Sequence, residues 1–434
     1  MKKYKVGQIL NRVKETIIIE DDQEYKRLTI RMYHKGVCLR DTELGINIGT
    51  KNQFIARSGQ FIMSRIDARN GAFGIIPDSI EQAAITNDFL SFSVNEEIVD
   101  IQFFELYVQT NNFMQLCFES SKGTTNRKRI KEEVFLGFEV YFPEKDKQIQ
   151  IVDKVKKLQL INETLGSELL FQTQDIQSLR QSILQEAVQG KLIPQSSNDE
   201  PARVLLQKIK AVKDGLLKDK KIKNEYPYSQ ITDDEKPYEI PQSWGWIRLG
   251  ELASFIDYRG KTPVKTESGI PLITAKNVKM GFISTEPREY IAEHEYSNWM
   301  TRGIPDYGDV IFTTEAPLGN VAQLNIEGIF ALAQRTITFK IYSGYYPVFL
   351  KYVLMSKSIR ESILKKATGT TAQGIKASKL KQIIVPVPPL DEQKRIVEKV
   401  DQLMALCDAL ENTVMQSKQE SEMLLQVVLQ EVFG

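Results

Sequence analysis

Pro388-Pro389-Leu390-Asp391-Glu392-Gln393-Lys394-Arg395-Ile396-Val397-Glu398-Lys399-Val400 decides the fold, because it echoes Pro143-Glu144-Lys145-Asp146-Lys147-Gln148-Ile149-Gln150-Ile151-Val152-Asp153-Lys154-Val155. The offset is 245 residues, and it holds without a gap to Ser182-Ile183-Leu184-Gln185-Glu186-Ala187-Val188 against Val427-Val428-Leu429-Gln430-Glu431-Val432-Phe433. An ungapped echo of this length marks a duplicated unit, so the chain is two tandem copies. Two copies in one polypeptide give internal two-fold character, which suits a target that is itself in two parts.

Each copy ends in a long helix. Positions 151, 155, 158, 162, 165, 169, 172, 176, 179 and 183 step by four and three in turn, and so do their counterparts 245 residues on. Eight of the ten are apolar in each set, which makes a heptad seam. Its members are Ile151, Val155, Leu158, Leu165, Leu169, Ile176, Leu179 and Ile183, then Ile396, Val400, Leu403, Leu410, Val414, Leu424 and Val428, with the buried-type thiol of Cys407 between. Pro143 and Pro388 stop the preceding strands, and Asp146 and Asp391 suit the positive end of a helix dipole. The first helix, about 146–188, would be about 65 Å long at about 1.5 Å per residue.

Outside the helices, short alternating runs such as 382–387 read as strands, and 102–119 and 349–364 read as helices. Tyr4-Lys5-Val6-Gly7-Gln8-Ile9 answers Ile247-Arg248-Leu249-Gly250-Glu251-Leu252, and Ser58-Gly59-Gln60-Phe61-Ile62 answers Tyr307-Gly308-Asp309-Val310-Ile311. The stretch 190–241 reads as a linker holding one helix over 201–220. The expected architecture is α+β: two tandem α+β domains separated by a long antiparallel two-helix coiled coil, with a pseudo-two-fold axis. Its boundaries are 1–143 for the first globule and 144–192 for the first long helix. The linker occupies 193–243, the second globule 244–389, and the second long helix 390–434. Antiparallel pairing is favoured because the linker then has little distance to cover, and the globules sit at opposite ends of a spacer about two DNA turns long.

Composition narrows the function. The 434 residues are enough for two or three domains, and 57 basic residues against 56 acidic leave a net charge of +1, which neither demands nor excludes nucleic acid. Cys38, Cys117 and Cys407 are far apart and read as free thiols of a reducing compartment. No apolar run approaches the roughly 18 residues of a membrane span, and no signal peptide is evident, so a cytoplasmic location is expected. There is no phosphate-binding loop, no GxGxxG between a strand and a helix, and only two histidines, without metal-binding spacing. No cofactor or metal is expected on this chain.

What remains is basic and polar clustering. The first globule holds Lys26, Arg27, Arg31, Lys35 and Arg40, then Arg65, Arg69 and Asn70, then Thr124, Thr125, Asn126 and Arg127 followed by Lys128 and Arg129. The second holds Arg259, Lys261 and Thr262, then Lys276 and Asn277, Arg335, Lys365 and Lys366, and Thr370, Thr371, Gln373 and Lys376. Arg and Lys contact phosphates, and Arg, Asn and Gln can pair with base edges, so these are candidate DNA contacts. A solvated surface is the bland reading of any single cluster, but Gly-Thr-Thr occurs at matched places in both copies.

At the repeated helices the chain resembles the specificity subunits of type I restriction–modification systems. Pro388-Pro389-Leu390-Asp391-Glu392-Gln393-Lys394-Arg395-Ile396-Val397 is similar to that family's P-P-L-x-E-Q-x-R-I-V opening, and Ser182–Leu192 to the end of its central conserved region. Asn198-Asp199-Glu200-Pro201-Ala202 and Glu239-Ile240-Pro241-Gln242-Ser243-Trp244 resemble the stretch that leads to its second target recognition domain. The first copy, Pro143-Glu144-Lys145-Asp146-Lys147-Gln148, departs further from the pattern. The resemblance implies two target recognition domains, each reading one half of a bipartite site in double-stranded DNA. It further implies two M (methyltransferase) subunits docked on the paired helices, with S-adenosylmethionine held by them. R (restriction) subunits would add ATP- and magnesium-dependent translocation and cleavage. Set against this are a self-contained nuclease or methyltransferase, and a coiled-coil scaffold with protein-binding heads.

Overall fold

The computed structural model describes residues 1–122, 128–222, 228–258, 262–369 and 373–433. The chain forms two compact units, Met1–Leu170 with Met415–Gly434, and Phe171–Val414. The division cuts both long helices, Lys145–Val188 and Leu390–Phe433, rather than falling in the linker.

Within each unit the chain begins and ends the same way. In the first, strand Lys2–Lys5 pairs antiparallel with Glu139–Phe142, the last strand before the long helix. In the second, Gly245–Arg248 pairs antiparallel with Ile384–Val387 in the same position. A one-turn helix follows each opening strand, Val6–Ile9 and Leu249–Leu252. Each unit then builds a four-stranded sheet of the same order. One runs Leu10–Val13, Phe89–Val94, Phe61–Ser64, Phe73–Ile75; the other runs Ala253–Asp257, Thr336–Ile341, Val310–Thr313, Val321–Gln323. Gly59 and Gly308, both at positive φ, turn the chain into the third strand of their sheets. The duplication is therefore a duplication of frame.

The inserts differ. The first unit adds a five-stranded sheet, in order Glu15–Ile18, Asn52–Arg57, Gln82–Ile85, Glu24–Ile30, Val37–Leu44. The second adds a three-stranded sheet in which Ile270–Ile273 lies between Tyr290–Ile291 and Ala331–Leu332. Their cores differ too. The first packs Phe61, Phe73, Phe92, Phe103, Phe104, Phe113, Phe135 and Phe142 together, many edge against face, as at Phe73–Phe113 with centroids 4.9 Å apart, with Phe92 stacked on Phe61. The second is mainly aliphatic.

The repeated stretch earns its similarity at one residue. Gln148 and Gln393 are fully buried at the starts of the long helices. Gln148 Nε2 donates to the carbonyls of Pro143 (2.8 Å) and Ile98 (3.1 Å), and its Oε1 accepts from the Asp100 N–H (2.8 Å). Gln393 Nε2 donates to the Pro388 carbonyl (2.9 Å), and its Oε1 accepts from the Tyr346 N–H (2.7 Å). The same amide clips each helix to its own globule, satisfying main-chain groups that would be costly to bury unpaired.

The helices pair antiparallel in the second unit, where Gln177 donates to Glu411 (3.5 Å) and Arg180 donates to Asp408 (2.6 Å) and lies beside Met404, so partners descend as the first helix ascends. In the first unit Ser421 bonds Asn162. Ile176, Ile183, Ile396, Val400 and Cys407 are buried in the second unit's core, and Val155 and Leu169 are buried in the first unit. Ile151, Leu158, Leu403 and Val414 are half-buried. Leu165, Leu179, Leu410 and Leu424 lie on the seam by count yet are 36–57% exposed, because two helices cover only a narrow strip of each other. The side chain of Val428 lies outside the described residues.

Three expectations change. The 102–119 helix is two, Ile101–Tyr107 and Asn111–Glu119, because the Thr110 hydroxyl caps the second by accepting from the Phe113 N–H. The 349–364 helix is also two, Pro347–Met355 and Lys357–Lys366, broken where buried Ser356 turns extended. The linker is not a free connection. Its helix Ala202–Lys218 sets Ala202, Leu205 and Ile209 into the second core, and Asp199 holds Arg395 through two bonds of 2.6 and 3.0 Å.

Candidate nucleic-acid interface

In the second unit, Ile270–Ile273 and Ala331–Leu332 run parallel, so the chain leaves both strands at the same sheet edge. That geometry sets the turn 274–277 beside 333–335. With Thr262, Lys265, Ala316 and Glu289 these turns line a notch of about 180 Å³. Arg335, at φ 71°, projects from its turn, and its Nε lies 3.2 Å from a Glu315 carboxylate oxygen. Gly374 bridges to both Glu315 and Thr368, and the Ile375 N–H donates to the Thr314 carbonyl, which brings exposed Gln373 and Lys376 to the same region. Lys265 is paired with Glu289 at 2.7 Å, whereas exposed Lys276 has no carboxylate partner among the described residues. The balance of the notch is cationic, with an apolar floor of Leu272, Ala275 and Ala333.

Thus Thr262, Lys276, Gln373 and Lys376 converge, while Asn277 turns inward. It is 3% exposed: its amide donates to the Ser284 and Pro287 carbonyls, and its oxygen accepts from the Thr274 N–H and hydroxyl. A base edge has nothing left to pair with there, so Asn277 holds the turn that presents Lys276. Arg259, Lys261, Thr370 and Thr371 lie outside the described residues. Lys265 and Gln334 are absent from the sequence candidates: Gln334 joins the notch through the parallel strand pair, and Lys265 through the Thr266–Tyr290 bridge and its ion pair with Glu289, none of which a local pattern announces. A larger cavity of about 710 Å³, lined by Phe282, Ile283, Tyr290 and Ile326, shares only Asn277 with the candidates.

In the first unit, Arg65 is a tie. Its Nε donates to the Asn87 carbonyl (2.8 Å), its guanidinium meets Glu132 (3.3 Å), and its carbonyl accepts from the Ile130 N–H (2.8 Å). Arg27 is likewise engaged by Asp41 and Glu43, and Arg129 by Asp88. Arg65 therefore fixes the short strands Ser121–Lys122 and Arg129–Ile130 that flank Thr124, Thr125, Asn126 and Arg127, which lie outside the described residues. Arg69 and Asn70 sit in the turn Ala68–Asn70, capped by Gly71 at φ 76°. The Asn70 and Gly71 carbonyls accept from the Tyr33 and His34 N–H groups at the tip of the hairpin between Glu24–Ile30 and Val37–Leu44. Burial against Phe73 lowers the pKa of His34.

Among the described residues no cluster of His, Cys, Asp and Glu is placed to hold a metal, and no helix is long and apolar enough to cross a membrane. Residues 241–417 match the family described as type I restriction modification DNA specificity domain. The matched residues span the notch, the strand pair of the shared frame and the first half of the second long helix. The specificity subunit of the type I restriction enzyme EcoAI, from Escherichia coli, is 26% identical over 373 residues, covering 74% of this chain and 63% of that one. That of EcoEI, also from Escherichia coli, is 25% identical, covering 75% and 64%. The aligned part is thus under two thirds of either relative. Among solved structures, the HsdS subunit from Thermoanaerobacter tengcongensis is similar over 100% of this chain and 96% of its own, with a TM-score of 0.60 at 17% identity. A chain from a study of the assembly of a type I R-M system reaches 0.65, also at 17% identity. At that identity the two share a fold.

Proposed function

We propose that the chain is a non-catalytic specificity subunit that reads a bipartite site in double-stranded DNA, one half per globular unit, and directs partner subunits to it. The observation that carries this is the shared frame with unlike inserts. Two sheets of one order hold their helices by one glutamine clip, yet they carry a five-stranded insert in one unit and a three-stranded insert with a cationic notch in the other. Two readers of different half-sites in one chain call for that division of labour. The notch suits phosphates and base edges: Lys276 and Arg335 supply cations, Thr262 and Gln334 hydrogen-bonding groups.

The paired helices leave Leu160, Ile161, Leu170, Phe171, Leu406 and Met415 more than half exposed. Apolar side chains of that kind suit docking of two methyltransferase subunits, which would hold S-adenosylmethionine, with ATP and magnesium on restriction subunits. A chain confined to the cytoplasm fits that partnership.

The test is to express the chain with its methyltransferase subunit and sequence the methylated positions in the host DNA. One two-part motif is expected, and replacing residues 1–143 with those of a relative should change one half only. Change in both halves, or methylation and cleavage by the purified chain without partners, would overturn the proposal.

A further inference from the structure

The hairpin tip Arg31-Met32-Tyr33-His34-Lys35-Gly36 holds an aromatic ring in an unusual way. Tyr33 and His34 are consecutive non-glycine residues in the left-handed region, at φ 61° and 57°. That conformation is disfavoured for side chains bearing a Cβ, and persists where neighbours hold it. Here the Tyr33 N–H donates to the Asn70 carbonyl (2.7 Å) and the His34 N–H to the Gly71 carbonyl (3.2 Å), while the Arg31 N–H closes the tip on the Gly36 carbonyl (2.9 Å). Gly71 is required beneath it, since a Cβ there would lie 2.9 Å from the His34 nitrogen. This fixed tip presents Tyr33 at 71% exposure and Met32 at 41%. Among the described residues no hydrogen bond or ring contact engages the Tyr33 side chain.

The charge around the ring has one sign. The six residues 31–36 include Arg31 and Lys35 and no carboxylate, and among the described residues neither cation has an acidic partner. Arg27 and Arg40, further down the hairpin, are by contrast tied to Asp41. A solvated turn has no need of an exposed, conformationally fixed ring between unpaired cations. A duplex offers the complement to both: base faces for the ring, phosphates for Arg31 and Lys35.

We propose that Met32 and Tyr33 form a wedge that enters a base step in the half-site read by the first unit, with Arg31 and Lys35 on the flanking phosphates. This rests on the DNA-reading function proposed above. The ring stacks on a base that the wedge has parted from its neighbour, so steps that part easily are favoured without a hydrogen bond to any base.

The test uses the full chain assembled with its methyltransferase subunit. Random duplex DNA is selected on the assembly and sequenced, and 2-aminopurine is then placed at successive positions of the enriched motif. The wild type should raise the fluorescence at one step of a single half-site, reporting lost stacking. Tyr33→Gly, which suits the left-handed turn, should abolish that rise and weaken affinity about 5- to 150-fold. Tyr33→Trp should retain both. Fluorescence and affinity unchanged in Tyr33→Gly would overturn the wedge while leaving DNA reading in place. An unchanged DNA response with loss of the methyltransferase subunit would overturn it in favour of a protein contact. Failure of the wild type to enrich any motif would overturn the DNA-reading function itself.

Discussion

Replacing Gln393 by alanine should destabilise the second unit selectively. The substitution leaves the Tyr346 N–H and the Pro388 carbonyl without the partners now at 2.7 and 2.9 Å, at a site where the glutamine is fully buried. Each stranded group costs about 1–3 kcal/mol, giving about 2–6 kcal/mol for the pair. The assay is supplied by composition: all three tryptophans, Trp244, Trp246 and Trp299, lie in the second unit, so their fluorescence follows that unit during urea unfolding. With a slope of about 3 kcal/mol per molar urea, the midpoint should fall by roughly 1 M. Gln148→Ala removes the equivalent clip from the unit without tryptophan, and should leave this transition in place while lowering one followed by circular dichroism. A shift below about 0.2 M for Gln393→Ala, or an equal tryptophan shift for Gln148→Ala, would refute the assignment of the clip.

Acid should find the ion pair beneath the same unit. Arg248 is 1% exposed and makes a two-pronged contact with Glu235 (2.8 and 3.0 Å), which lowers the Glu235 pKa from 4.5 to about 2. A depressed carboxylate stabilises the fold above its unfolded pKa and loses that contribution as pH falls from 4.5 towards 2. Glu235→Gln should therefore flatten this limb of the stability–pH curve, read by tryptophan fluorescence, and be less stable than wild type at neutral pH. Arg180→Ala should cost about 0.5–1 kcal/mol in thermal unfolding, with most of the difference gone in 1 M salt, because Asp408 and Glu411 are 42–65% exposed. Gly71→Ala should cost about 1–2 kcal/mol through its φ of 76° and its collision with the His34 nitrogen, measured by urea unfolding.

The parts of the fold that follow a period or a repeat were legible in the sequence. The heptads 151–183 and 396–428, the strand-stopping prolines and the matched openings of the two copies are of this kind. Breaks set by one residue were not, because Thr110 and Ser356 read as ordinary members of amphipathic runs until the Thr110 hydroxyl caps the next helix and the Ser356 backbone turns extended. Site residues divided similarly. Residue type placed Lys276 and Thr262 among the candidates, and the same criterion admitted Asn277 and Arg65, whose polar atoms are taken by Thr274, Ser284 and Pro287 and by Asn87 and Glu132. An exposed tyrosine in a turn, such as Tyr33, carries no signal until its backbone angles are known.

The glutamine clips hold only main-chain atoms: the carbonyls of Ile98, Pro143 and Pro388, and the N–H groups of Asp100 and Tyr346. Every residue offers a carbonyl, and every residue but proline an N–H. This part of the anchor between helix and globule is thus indifferent to the side chains of the globule it grips. A lineage could rewrite the residues of either globule that do not pack on its helix, much as a tool holder accepts any bit with the right shank, while the clip itself stays unchanged.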